Sequence, residues 1–121
     1  MMFPFRRRHA RTTPAAAHQR TRDEGGVLLD VRERAEWTAG HAPGAVHAPL
    51  SALLAGADLP RAAQGRPLMV ICRSGHRSQQ ASRLLTERGA EAVADVTGGM
   101  NAWAAAGLPV VDARGSRGSI A

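Results

Sequence analysis

Apolar residues fall along this chain in short unbroken runs rather than in alternation. Val27-Leu28-Leu29-Asp30-Val31, Leu68-Met69-Val70-Ile71 and Ala92-Val93-Ala94-Asp95-Val96 each admit at most one polar residue. A run without polar alternation predicts a strand covered on both faces, as in a parallel sheet. Between the runs the spacing turns helical. Ala81, Leu84, Leu85 and Arg88 repeat at helical intervals from Arg77 onward, with Gly89 placed to cap the carboxyl end. Thr13-Pro14 followed by alanines reads as a helix entry, a capping hydroxyl and then a first-turn proline, closed by Gly25-Gly26. Further helical segments are predicted over 32–38, over 49–63 with a break at Gly56-Ala57-Asp58, and over 100–106 with Gly107 as the stop. Trp37 and Trp103 are both expected in the core. Gly40-His41-Ala42-Pro43-Gly44-Ala45 is a turn signal leading into a short strand through Val46, and Leu108-Pro109-Val110-Val111 closes the domain. Strands alternating with helices predict an α/β fold, with a mainly parallel central sheet flanked by helices on both faces.

Composition changes this picture little. With 44% hydrophobic and 21% charged residues in 121, the chain reads as one soluble domain whose core needs no disulfide or metal. No stretch approaches a membrane span, so no membrane partner is expected. The formal charge of +6 rests entirely on arginine, and it sits at the ends. Arg6, Arg7, Arg8, Arg11, Arg114 and Arg117 match the whole excess, so no folded basic face remains. Aromatic stacking residues are scarce as well, which argues against nucleic acid as a partner. The reading is therefore a flexible basic arm over 1–11, a domain over 12–111 and a disordered Gly/Ser/Arg tail over 112–121. The arm lacks the apolar region of a signal peptide. The single cysteine suits a reducing compartment, so a cytoplasmic location is expected.

That cysteine is where chemistry is expected. Cys72 ends the second apolar run, and Arg73-Ser74-Gly75-His76-Arg77-Ser78 follows as a short polar loop into the next helix. Ligands of open α/β sheets bind at this carboxyl end of the strands. Loop N–H groups, a helix N-terminus and two arginines would together favour thiolate over thiol and attract an anion. A cysteine at a strand end is often plain core, but the polar, glycine-containing sequel favours a nucleophile. Asp30, at the end of another buried strand, should accept loop N–H groups or pair with an arginine. His41 reads as a structural residue of its turn, and His47 as a weaker candidate. The five histidines show no metal-ligand spacing with a carboxylate or thiol. No metal or other cofactor is expected.

Cys72-Arg73-Ser74-Gly75-His76-Arg77-Ser78 resembles the active-site loop of the rhodanese-like sulfurtransferases. Leu29-Asp30-Val31-Arg32, Gly40-His41-Ala42-Pro43-Gly44-Ala45 and Gly98-Gly99-Met100-Asn101-Ala102-Trp103 resemble three further family stretches in the same order. The resemblance spans roughly residues 12–111, about one domain. It implies that Cys72 takes a sulfane sulfur from a small anionic donor such as thiosulfate, becomes a persulfide, and passes the sulfur to a thiol or cyanide. A sulfur-carrier protein is a further possible partner; nothing in the pattern sets the donor, the acceptor or an oligomeric state. It also implies supporting roles for Asp30 and Arg32 beside the loop. Arg77, adjoining the helix, is expected to anchor the loop, and Arg73 to meet the sulfonate end of the donor. Two other readings stand beside this one. A non-enzymatic binding or sulfur-relay module is possible because fold alone does not fix function. A cysteine-dependent phosphatase or arsenate reductase shares the anion cradle, but the fold's phosphatase relatives use a longer loop than the four residues between Cys72 and Arg77.

Overall fold

The computed structural model describes residues 10–121. Five strands form one wholly parallel sheet: β1 (Ala10–Thr12), β2 (Val27–Asp30), β3 (Val46–His47), β4 (Leu68–Ile71) and β5 (Val93–Val96), in the order β1-β5-β4-β2-β3. Five helices intervene: α1 (Pro14–Asp23), α2 (Arg34–Ala39), α3 (Leu50–Leu54), α4 (Arg77–Glu87) and α5 (Gly99–Ala105). A 3-10 turn at Arg61–Ala63 precedes β4.

The apolar runs explain the layering. In β2 and β4 every residue is buried, and successive side chains serve opposite faces. Val27, Leu29, Val31, Leu68, Val70 and Cys72 pack toward Leu53 of α3 and Ala81 and Leu85 of α4. Leu28, Met69 and Ile71 pack the other way, toward Ala17 of α1 and Met100 and Trp103 of α5. Trp103 is buried as expected, and its indole N–H finds Pro109 O at 2.9 Å, which offsets the cost of burying the donor. At α1, the Thr13 hydroxyl accepts the Ala16 N–H at 3.1 Å, so the proline-led helix is capped as its sequence indicates.

Three expectations need correction. Residues 10 and 11, assigned to the flexible arm, lie in edge strand β1, with Arg11 in register with Asp95; residues 1–9 of that arm lie outside the described residues. The tail over 112–121 is not structureless. Val111 bridges both His41 and Arg117, Gly118 N–H bonds Val110 O, Ser119 N–H bonds Ala39 O, and Ile120 packs on the α1/α5 side of the core. Gly40 and Gly118 allow this closeness: a Cβ on Gly118 would lie 2.8 Å from Gly40 Cα. Trp37 is half-buried rather than core. Its ring stacks on His41 at 3.7 Å and His47 at 4.8 Å, because short α2 has no buried residue. Among the described residues no helix is long and apolar enough to cross a membrane.

Because all strands run the same way, the residues following β1, β2, β4 and β5 gather at one end of the sheet. Cys72 is at that end.

Candidate active site

β4 delivers Cys72 to the sheet end, and α4 begins five residues later. The loop curls so that the Gly75 N–H donates to Cys72 Sγ at 3.1 Å. Gly75 makes this curl at φ +102°, a conformation that side-chain-bearing residues avoid. A Cβ there would also press on Gly98 N at 3.1 Å. The α4 N-terminus points its dipole into the same loop. Cys72 itself is 1% exposed, while Arg73, Ser74 and His76 stand in solvent around it. Ser74 Oγ and His76 Nδ1 lie 3.3 Å apart on the outer rim.

Four neighbours hold the loop. From α5, the Met100 N–H binds Cys72 O at 2.7 Å and the Asn101 N–H binds Arg73 O at 3.0 Å. Such contacts need Gly99, at φ +58°, because a Cβ on it would overlap Cys72 O and lie 2.6 Å from the Arg73 carbonyl carbon. From α4, Gln79 Nε2 donates to Gly75 O at 2.7 Å. From β5, buried Asp95 accepts from Ser78 Oγ at 3.4 Å and from Arg11 Nη2 at 3.1 Å. From α2, Glu36 accepts two hydrogen bonds from Arg77, at 2.6 and 2.8 Å. Arg77 holds the Glu36 carboxyl below its ordinary value through this pairing, against the opposing effect of partial burial. The same contact raises Arg77.

The Asp30 and Arg32 side chains make no hydrogen bond to the loop. Both are fully buried, and they pair with each other: Arg32 Nη2 to Asp30 Oδ2 at 2.7 Å and Nε to Oδ1 at 3.0 Å, with the Arg32 N–H on Oδ1 as well. The remaining guanidinium donors reach Glu36 O at 3.3 Å and Gly40 O at 2.7 Å. The pair therefore fixes α2, and α2 presents Glu36 to Arg77. His41 and His47 likewise hold backbone, through Trp37 O at 2.8 Å and Arg32 O at 2.7 Å.

The structure thus brings Cys72, Arg73, Ser74, Gly75, His76, Arg77 and Ser78 into one loop and places Asp30 and Arg32 one contact behind it. Glu36, Gln79, Asp95 and the packing role of Gly99 were not read from sequence as parts of the site, and Arg11 was read only as part of the arm. Asp95 did carry a signal, since a carboxylate inside an apolar strand requires a partner. Glu36 also accepts the Glu33 N–H at 3.1 Å, capping the start of its own helix. Nothing in its spacing pointed across to Arg77.

Comparison with known proteins agrees with this geometry. Residues 13–106 match the family described as Rhodanese-like domain. A protein of Allochromatium vinosum named sulfurtransferase is 37% identical over 99 residues, covering 80% of this chain and 90% of its own. An uncharacterized protein of Synechocystis is 35% identical over 107 residues; the match covers 88% of this chain but only 59% of that relative's length. A rhodanese-related protein of Thermoplasma volcanium superposes with a TM-score of 0.72 at 27% identity, over 85% of this chain and 98% of that one. Parallel sheet, cysteine loop and matched segment coincide, and the chain belongs to the rhodanese-like domain family.

Proposed function

We propose that the chain is a sulfurtransferase that carries a sulfane sulfur as a persulfide on Cys72. The observation that carries this reading is the Gly75 N–H on the Sγ of Cys72, a residue only 1% exposed. A sulfur so deep in its loop can be reached by a slender terminal atom. The outer sulfur of thiosulfate is such an atom; phosphorus, wrapped by its oxygens, is not. In the first half-reaction the thiolate attacks that outer sulfur. A Cys72–S bond forms, the donor's S–S bond breaks, and sulfite leaves with the electron pair. The persulfide is again an anion, so the N–H group that met the thiolate also faces the charge of the intermediate. In the second half-reaction cyanide or an external thiolate attacks the outer sulfur and Cys72 leaves as thiolate. No second thiol exists in the chain to discharge the persulfide as a disulfide, so the acceptor must come from outside. A single-cysteine enzyme of this kind suits the reducing cytoplasm, and the sulfurtransferase name of the Allochromatium relative supports the activity.

The test is incubation with thiosulfate, followed by intact-mass measurement for one added sulfur, and thiosulfate:cyanide turnover. Cys72→Ser should lose both while its circular dichroism is unchanged, and an aryl phosphate should not be hydrolysed. Turnover surviving in Cys72→Ser would sink the proposal, as would cysteine-dependent phosphatase activity comparable to sulfur transfer.

A further inference from the structure

Of the arginines around the loop, Arg77 is already committed to Glu36 in a two-bond pair. The Arg73 side chain stands exposed with no hydrogen bond or ion pair among the described residues, so nothing fixes its orientation. The third cation, Arg11, comes from a different element. It lies in β1, ahead of the segment 13–106 shared with the family, in register with Asp95 of β5. Its Nη2 donates to Asp95 Oδ2 at 3.1 Å and sits 3.7 Å from where a Cβ on Gly75 would be. Gly75 is the residue whose N–H touches Cys72 Sγ. Linking those distances through the bonds of Gly75 puts the guanidinium within about 10 Å of the sulfur. That is about one Debye length at ordinary ionic strength, about 8–10 Å.

We propose that Arg11, held by buried Asp95, is an anion-binding residue of this site that receives the oxyanion end of a small sulfur donor. An arginine serving only to neutralise a buried carboxylate would do best buried with it. Arg11 instead leaves 47% of its side chain exposed. One of its five N–H donors goes to Asp95, and the others have no partner among the described residues. Anchoring one end of a planar fork fixes the direction of the rest, which suits it to an oxyanion with several acceptor oxygens. Asp95 also holds Ser78 at the start of α4, so one carboxylate sets both the loop's exit and the cation beside it.

The identity of the donor rests on the sulfurtransferase reading; the anion site itself does not, and two measurements separate them. In the full chain, Arg11→Ala should raise KM for thiosulfate about tenfold with kcat within about twofold, and Arg11→Lys should restore part of the loss. Asp95→Asn removes a negative charge, so charge alone would lower KM; loss of the anchor should raise it. Independently of any turnover, Cys72 can be alkylated by anionic iodoacetate and by neutral iodoacetamide. Arg11→Ala should cut the iodoacetate-to-iodoacetamide rate ratio by about threefold or more. An unchanged ratio, or equal slowing by both reagents together with a fall in melting temperature, would show that Arg11 only ties down the sheet edge and overturns the proposal. A lower KM in Asp95→Asn would overturn the anchoring. If wild-type protein takes no sulfur from thiosulfate, the sulfurtransferase reading fails, and the alkylation ratio still decides Arg11.

Discussion

Arg77 and Glu36 meet in two parallel hydrogen bonds, Nη1 to Oε1 at 2.6 Å and Nη2 to Oε2 at 2.8 Å, joining the start of α4 to α2 across 41 residues of sequence. The cation nearest the helix start is thereby a strut. Arg73, four residues closer to Cys72 in the loop, has no such tie and faces solvent.

The two arginines should therefore fail differently when removed. The Arg77 and Glu36 side chains are 34% and 21% exposed, so solvent screening limits the pair. Arg77→Ala or Glu36→Gln should cost about 1 kcal/mol, about 4 °C in melting temperature for a chain of this size. Both should also slow sulfur loading of Cys72. Arg73→Ala should leave the melting temperature unchanged and raise KM for an anionic donor. Thermal melts and steady-state kinetics on the three variants check this; matched behaviour of Arg73→Ala and Arg77→Ala would refute the division.

Acid should undo the strut in a defined direction. Arg77 holds the Glu36 carboxyl below its ordinary value of 4.5, first through their hydrogen bond. A lowered folded-state value means the stabilisation is complete above 4.5 and disappears as pH falls through the lowered value. The stability gap between wild type and Glu36→Gln should hold steady from about pH 7 to about pH 5 and close below that. Denaturant melts across that range give the answer, and a gap persisting in strong acid would contradict it.

Asp30 and Arg32 should behave as architecture. Both are fully buried, and Arg32 alone ties Asp30, Glu36 O and Gly40 O together. Arg32→Ala would leave an unpaired buried carboxylate, at a cost of about 3–5 kcal/mol. Molecules that remain folded at low temperature should still take up sulfur on Cys72. Full stability with loading abolished would instead give Arg32 a direct part in the chemistry.

How much of this was legible depended on where each residue draws its stability. β4, the Cys72 loop and α4 could be read because an all-apolar run, a glycine and a helical repeat are local signals. β1 could not: Ala10, Arg11 and Thr12 have no apolar pattern, and the strand exists because β5 offers it a ladder and Asp95 offers Arg11 a partner. The tail read as disordered from its Gly, Ser and Arg content, yet its order comes from backbone bonds to Val110 and Ala39 and from Ile120 on the core. Trp37 read as core by size, while its actual setting is a stack with two histidines from the following turn and strand. Glu36 was invisible for the same reason as β1, since its partner lies 41 residues away.

Gly99 offers a sharper test of how the loop is held. A Cβ there would overlap Cys72 O and sit 2.6 Å from both the carbonyl carbon and oxygen of Arg73, all backbone atoms that cannot swing aside. Gly99→Ala must therefore push α5 off the loop, stretching the Met100 and Asn101 hydrogen bonds that fix the Cys72 and Arg73 carbonyls. It also carries the strain of a side chain at φ +58°. Gly65→Ala separates the two effects: Gly65 has φ +71°, open space around its Cβ position, and a place at the opposite end of β4. That control should lose only the left-handed backbone penalty, about 1–2 kcal/mol, with sulfur loading per folded molecule unchanged. Gly99→Ala should lose more stability than this, and slow sulfur loading by about tenfold or more, because small displacements of a reacting group are costly. Parallel melts and loading rates for the two variants decide it. Equal stability losses with loading intact in both would mean that α5 only covers the loop and does not set the position of Cys72.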